Sequence, residues 1–121
     1  MSRILVTGSR NWKDAEAVYV ELNHALDEFG WDSVFVHGDC PFGVDYIVRE
    51  WCEGAGLDHE PHPADWEHKG RAAGPIRNRQ MVELGADVCL AFPLGESRGT
   101  RGCMALAEAA GIPVRVFGSD A

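Results

Sequence analysis

Apolar residues recur along the chain in two distinct ways. Short unbroken runs, Ile4-Leu5-Val6, Val34-Phe35-Val36 and Val88-Cys89-Leu90-Ala91-Phe92, alternate with longer stretches in which apolar residues return every three or four positions. The runs read as strands buried on both faces, and the longer spacing reads as amphipathic helices. Residues 3–7 are thus a first strand, closed by Gly8-Ser9-Arg10. The helix that follows carries Val18, Leu22, Ala25, Leu26 and Phe29 on one face, with Asp14 as its N-cap and Gly30 just past its end. Residues 33–37 form a second strand, and Val44, Val48, Trp51, Cys52 and Ala55 face one side of a second helix that stops near Gly56. A weaker third strand is expected over 57–60, with Pro61 and Pro63 excluding regular structure directly after it. A polar, at first irregular connection through Asp65-Trp66 leads to a helix from about Pro75 to Gly85. Then come a strand over 87–92, a Gly-rich loop over 93–100, a helix carrying Met104, Leu106, Ala107 and Ala110, and a last strand over 113–117.

Strands alternating with helices give a doubly wound parallel α/β sheet, Rossmann-like in class. Right-handed crossovers and one reversal of winding predict the strand order 3-2-1-4-5, with the first and fourth strands adjacent at the switch point. Ligands in such sheets sit at the carboxyl ends of the strands flanking that point. A length of 121 residues fits one domain spanning 1–121. The composition, 45% hydrophobic and 25% charged, excludes the disordered and collagenous classes. No apolar run approaches the ~18–20 residues needed to cross a bilayer, and Met1-Ser2-Arg3 opens no signal-peptide pattern, so a cytoplasmic protein without a membrane partner is expected.

The formal charge of −8 argues against binding of duplex nucleic acid or anionic membranes. The charge is uneven, however. From Arg71 to Arg101 there are five Arg (71, 77, 79, 98 and 101) against three acids (Glu83, Asp87 and Glu96), a local +2 inside an acidic chain. This marks a candidate anion site. Nine of the eleven cations are Arg, which suits bidentate recognition of phosphate or carboxylate and follows equally from genome base composition.

Cys40, Cys52, Cys89 and Cys103 show no C-x-x-C pairing; the last three fall at core-facing positions and read as buried thiols, whereas Cys40 lies in a loop where exposure would allow reactivity. His59, His62, Asp65 and His68 are close in sequence, but the intervening prolines remove regular ligand spacing, so a solvated polar loop is expected and neither a metal nor a cofactor is required.

The loop ending in Ser97, Gly99 and Thr100 opens a helix, so its backbone N–H groups suit a phosphate, although neither G-x-G-x-x-G nor a Walker A sequence is present. Arg10 from the first loop and Arg77 from the helix before the fourth strand are predicted to converge there. Trp66 either stacks a base or anchors its own loop.

Several motifs together resemble one family: Gly8-Ser9-Arg10, Gly43-Val44-Asp45, Ala64-Asp65-Trp66, Ala73-Gly74-Pro75-Ile76-Arg77-Asn78-Arg79-Gln80-Met81, Ala91-Phe92-Pro93, and Ser97 with Gly99-Thr100. Over essentially the whole chain they resemble the YspA group of the SLOG superfamily, also called DUF2493, which occurs in bacteria and bacteriophages and has a Rossmann-like fold. Relatives in that superfamily include the cytokinin-activating LOG phosphoribohydrolases, the DNA-processing protein DprA, and domains that sense NAD-derived signals in antiviral defence. The resemblance implies a nucleotide-like ligand held by Gly8, Ser9, Arg10, Gly43, Asp45, Asp65, Trp66, Arg77, Asn78, Pro93, Gly95, Ser97, Gly99 and Thr100, and a homodimer or higher homo-oligomer. It also shows a departure. The phosphoribohydrolases end their Pro-Gly-Gly-x-Gly-Thr-x-x-Glu loop in a catalytic acid, and Cys103 stands at that place here. Binding of a nucleotide-derived ligand, for sensing or sequestration, is therefore the leading expectation. The enzyme alternative is hydrolysis of a nucleotide N-glycosidic bond by Asp45 or Glu96, and binding of single-stranded DNA is the third.

Overall fold

The computed structural model describes residues 1–118. Its five strands, β1 (Arg3–Gly8), β2 (Val34–His37), β3 (His59–Pro61), β4 (Val88–Phe92) and β5 (Val114–Val116), form one parallel sheet in the order β3-β2-β1-β4-β5. The expected topology is the observed one. β1 is central, with Leu5 opposite Val36 on one side and Cys89 on the other.

Alternation along the strands divides the core into two layers. Ile4, Val6, Phe35, Leu90 and Phe92 pack against α1 (Ala15–Phe29) and α2 (Gly43–Ala55), which contribute Val18, Leu22, Leu26, Val44 and Val48. Leu5, Val36 and Cys89 point to the opposite face, against Met81 and Val82 of α4 (Ala73–Glu83) and Cys103 and Ala107 of α5 (Arg98–Ala109). Each fully buried Leu or Phe in these layers contributes about 1.5–3 kcal/mol relative to exposure. The caps of α1 fall where expected: the Asp14 carboxylate accepts the Ala17 N–H, and the Gly30 N–H donates to the Leu26 carbonyl.

Two segments differ from expectation. The third strand is displaced toward Pro61 because the Leu57 N–H donates to the Cys52 carbonyl, completing the C-terminal cap of α2, whose left-handed residue is Gly56 (φ 69°). Leu57 is therefore a capping residue packed on the core, and pairing starts only at His59. Pro61 belongs to the strand, paired with His37; a border strand tolerates a residue that cannot donate. The segment after Asp65 is also more regular than expected. A four-residue helix, α3 (Trp66–Lys69), and a 3-10 turn over Gly70–Ala72 precede α4, so Pro75 lies within the first turn of α4 rather than opening it. No helix among the described residues is long and apolar enough to cross a membrane.

Gly54 lies inside α2 with open space where a Cβ would stand. Gly54→Ala is expected to stabilise the protein by about 0.5–1 kcal/mol, read as a higher midpoint in urea unfolding.

Candidate functional site

β1 and β4 are neighbours, but the chain leaves them in different directions, toward α1 on one face and α5 on the other. The Ser9 N–H still bonds the Phe92 carbonyl (3.0 Å), and beyond it a cleft of about 570 Å³ opens at the carboxyl ends of the strands. Gly8, Ser9, Arg10, Asp45, Trp66, Arg77, Asn78, Ser97, Gly99 and Thr100 line it, so ten of the expected residues meet in one place. Gly43, Asp65, Pro93, Gly95 and Glu96 do not line it.

Those five have other surroundings. Gly43 has φ 70°, and a Cβ there would overlap the Ser9 carbonyl oxygen and stand 2.6 Å from Arg10 Cα. A Cβ on Gly8 would likewise overlap the Val44 side chain. These two glycines let the start of α2 close onto the end of β1, which brings Asp45 beneath the cleft. Asp65 caps α3 by accepting the His68 N–H at 3.2 Å. Pro93 is buried, whereas Gly95 and Glu96 form an exposed turn whose carbonyls are braced by Arg101 Nη2 and Nε, each at 2.9 Å.

The floor of the cleft is a charged, buried node. Arg77 Nη1 donates to the Gly38 carbonyl and to the His62 carbonyl (3.3 Å), tying down the chain beyond β2 and β3, while its Nε donates to Asn78 Oδ1 at 2.8 Å. Asn78 Nδ2 in turn reaches the Gly99 carbonyl at 3.2 Å. Burial pushes the Asp45 carboxyl up to about 6, against the opposing pull of the Cys40 N–H and the Arg77 charge. A carboxyl in that range exchanges a proton near neutral pH.

The loop that offers Cys40 N–H to Asp45 is fixed from behind. Asp39 adopts φ 54°, a left-handed conformation that costs a non-glycine residue about 1 kcal/mol or more. Its N–H donates to His37 Nδ1 (3.0 Å) and its carboxylate pairs with Arg49 (2.5 Å). Because His37 Nδ1 accepts, its Nε2 carries the proton and donates to His59 Nδ1 at 2.9 Å. Burial, aided by His59 and the Arg49 charge, pushes His37 down to about 4, so this ring is neutral at physiological pH.

The upper wall is the start of α5. Ser97 also has a left-handed backbone (φ 42°), and its hydroxyl turns back into the loop, accepting the Leu94 N–H (2.8 Å) and donating to the Leu94 carbonyl (2.5 Å). It therefore provides no side-chain cap for α5, whose first-turn residues Arg98, Gly99 and Thr100 line the cleft at the positive end of the helix. Opposite, the Arg10 guanidinium stands 5.1 Å above the Trp66 ring, a cation–π contact, and the ring edge rests over Gly74. Trp66 is 47% exposed, so it both anchors its segment and offers surface.

Sequence reasoning did not single out Val6, Thr7, Asn11, Gly38, Cys40, Gly74, Pro75, Met81 and Leu94 as lining residues, and it held Arg71 and Arg98 only as members of the Arg-rich window. The local excess of Arg was the available signal for Arg71 and Arg98; nothing comparable marks Gly38, which matters because a Cβ there would overlap Arg77. Cys40 is half-buried, while burial pushes the Cys103 thiol up to about 11, outside the range of a neutral-pH acid or base. Among the described residues no three His, Cys, Asp or Glu side chains gather as a metal site; His62 pairs with Glu60 (2.6 Å), His68 with Asp65 (2.9 Å) and His59 with His37.

Residues 2–68 match the YspA, cpYpsA-related SLOG family, and the chain is 50% identical to the Gene 61 protein of Mycobacterium phage D29 over 98% of both proteins. The chain belongs to this SLOG family. A solved structure, the C-terminal domain of a hydrogenase from Pyrococcus furiosus, is similar with a TM-score of 0.54 and 19% identity, covering 95% of this chain and 89% of that one. At that identity the likeness concerns the fold alone. Within the SLOG framework the cleft described above occupies the switch point of the sheet, the place where α/β folds of this winding hold ligands.

Proposed function

We propose that this SLOG protein binds a nucleotide or nucleotide-derived anion at the switch-point cleft, holding it for sensing or sequestration. The observation that carries the reading is the charge of the lining: among the described residues Arg10, Arg71, Arg77 and Arg98 face a single acid, Asp45, in a chain of formal charge −8. A protein this acidic concentrates cations in one concavity only at a cost in mutual repulsion, which an anionic ligand relieves. The open amides of α5 and Arg98 suit a phosphate, Arg10 a second phosphate oxygen, and the exposed face of Trp66 a base.

Arg10→Ala is the decisive variant because its guanidinium stacks on Trp66 at the surface, so its removal leaves the core intact. Calorimetric titration with AMP, ADP, GMP and GDP is expected to show binding by the parent. The variant should bind roughly ten- to a hundredfold more weakly, with an unchanged melting temperature. Equal affinity in the two proteins, or no binding of any nucleotide by the parent, would sink the reading.

A second reading, N-glycosidic hydrolysis, is favoured by the raised Asp45 carboxyl, the one acid among the described residues that lines the cleft. Asp45 would activate water or stabilise an oxocarbenium-like centre while the arginines hold phosphate. The burial of Cys103 at the position of the relatives' glutamate weighs against rapid turnover. In single-turnover incubation with nucleoside monophosphates, the parent is expected to release no free base faster than the Asp45→Asn variant; rapid release abolished by that substitution would make the protein an enzyme.

A further inference from the structure

A second hollow, of about 590 Å³ and shallower, lies directly beside the main cleft, and Arg10 and Asn11 form the wall common to both. Its other side carries Lys13, Pro41, Phe42 and Tyr46. Two features of this surface are not explained by folding. Phe42 occupies the N-cap position of α2 in an extended conformation (φ −136°, ψ 161°) and makes no side-chain cap, where Ser, Thr, Asp or Asn would stabilise the helix by about 1 kcal/mol. It is also 66% exposed and Tyr46, one turn on, 47% exposed, so two aromatic faces stand in solvent beside two cations, Arg10 and Lys13.

From this juxtaposition we propose that the ligand is of the dinucleotide class: two nucleosides joined through phosphates, the first in the main cleft, the phosphate bridge at Arg10 and Lys13, and the second base stacked on Phe42 and Tyr46. The inference rests on the nucleotide reading of the main cleft and extends it. Arg10 is the pivot, because among the described residues it is the one cation that lines both hollows and can touch a bridge running from one to the other. Phosphates at the wall and rings on either side match the order of groups in such a molecule. Aromatic faces accept any base through its π-surface, so this second subsite selects for the presence of a second ring rather than its identity. A long single strand has the same chemistry but meets the repulsion of a chain carrying −8 as soon as it leaves the two hollows.

Calorimetric titration with AMP, ADP and diadenosine diphosphate, repeated with the guanine counterparts, separates the contributions. ADP matches the phosphates without the second nucleoside. The dinucleotide is expected to bind the parent about tenfold or more tightly than ADP. In the Phe42→Ala/Tyr46→Ala protein that gain should vanish while AMP and ADP bind within about twofold of the parent; both side chains are largely exposed, and a thermal melt confirms the fold. Equal affinity of the parent for ADP and the dinucleotide, or a gain that survives the double substitution, overturns the second subsite and leaves the nucleotide reading standing. A twelve-nucleotide single strand binding more tightly than the dinucleotide, with a steep salt dependence, overturns it in favour of a polymer. Failure of every mononucleotide and dinucleotide to bind overturns both proposals together.

Discussion

Asp45→Asn is expected to be more stable than the parent near pH 7.5, by up to about 3 kcal/mol, and to lose most of that margin near pH 4. The sign follows from the direction of the shift. Burial raises this carboxyl from 3.8 to about 6 in the folded protein, so between those values the folded chain holds a proton that the unfolded chain has released. The group's contribution to stability therefore falls as pH rises through that interval and stays low above it. His37 runs the other way: its ring is lowered from 6.5 to about 4, the unfolded chain binds the extra proton, and stability rises with pH across nearly the same window, also by about 3 kcal/mol. The two slopes offset each other in the parent. Removing the Asp45 titration should make the stability profile climb more steeply between about pH 4 and 6.5 than that of the parent, in which Asp45 opposes His37. Urea unfolding at several pH values measures it, and parallel profiles for the two proteins would show that Asp45 titrates normally.

Gly43→Ala is expected to cost about 4 kcal/mol or more and to lower the melting temperature by roughly ten degrees or more. Two penalties combine there. The backbone is left-handed at φ 70°, and the added methyl would meet main-chain atoms of Ser9 and Arg10, which cannot rotate aside as a side chain can. Gly99→Ala provides the comparison, since a Cβ there meets nothing within 4 Å. It should change stability by about 0.5 kcal/mol or less, typical of a surface position. A Gly43→Ala protein melting like the Gly99→Ala protein would refute the close approach of α2 to β1.

The contrast between these glycines explains what the chain revealed before its fold was known. Strand order and the ends of α1 were legible because they depend on period and on local capping, both written in neighbouring residues. The main lining of the cleft was legible because the switch point follows from the order of strands. Which glycines provide clearance was not, since the neighbour of Gly43 is Ser9, thirty-odd positions away, and that of Gly38 is the Arg77 side chain. Leu57 misled for a related reason: its apolar side chain packs on the core as a strand residue would, while its amide closes a helix. The short helix α3 carries no buried residue, so no hydrophobic period announced it.

The borders of the sheet bear on behaviour at high concentration. An outer strand exposes backbone donors and acceptors that can template another chain, and long, flat, apolar borders lead toward fibres. Here each border strand is only three residues long. One ends in Pro61, which has no N–H to give, and the other has at its centre Arg115, clasped by Glu28 through contacts of 2.6 and 2.8 Å. Sheet-to-sheet propagation from molecule to molecule is thus obstructed at both ends, so a crowded solution of this chain should remain free of amyloid-type aggregates.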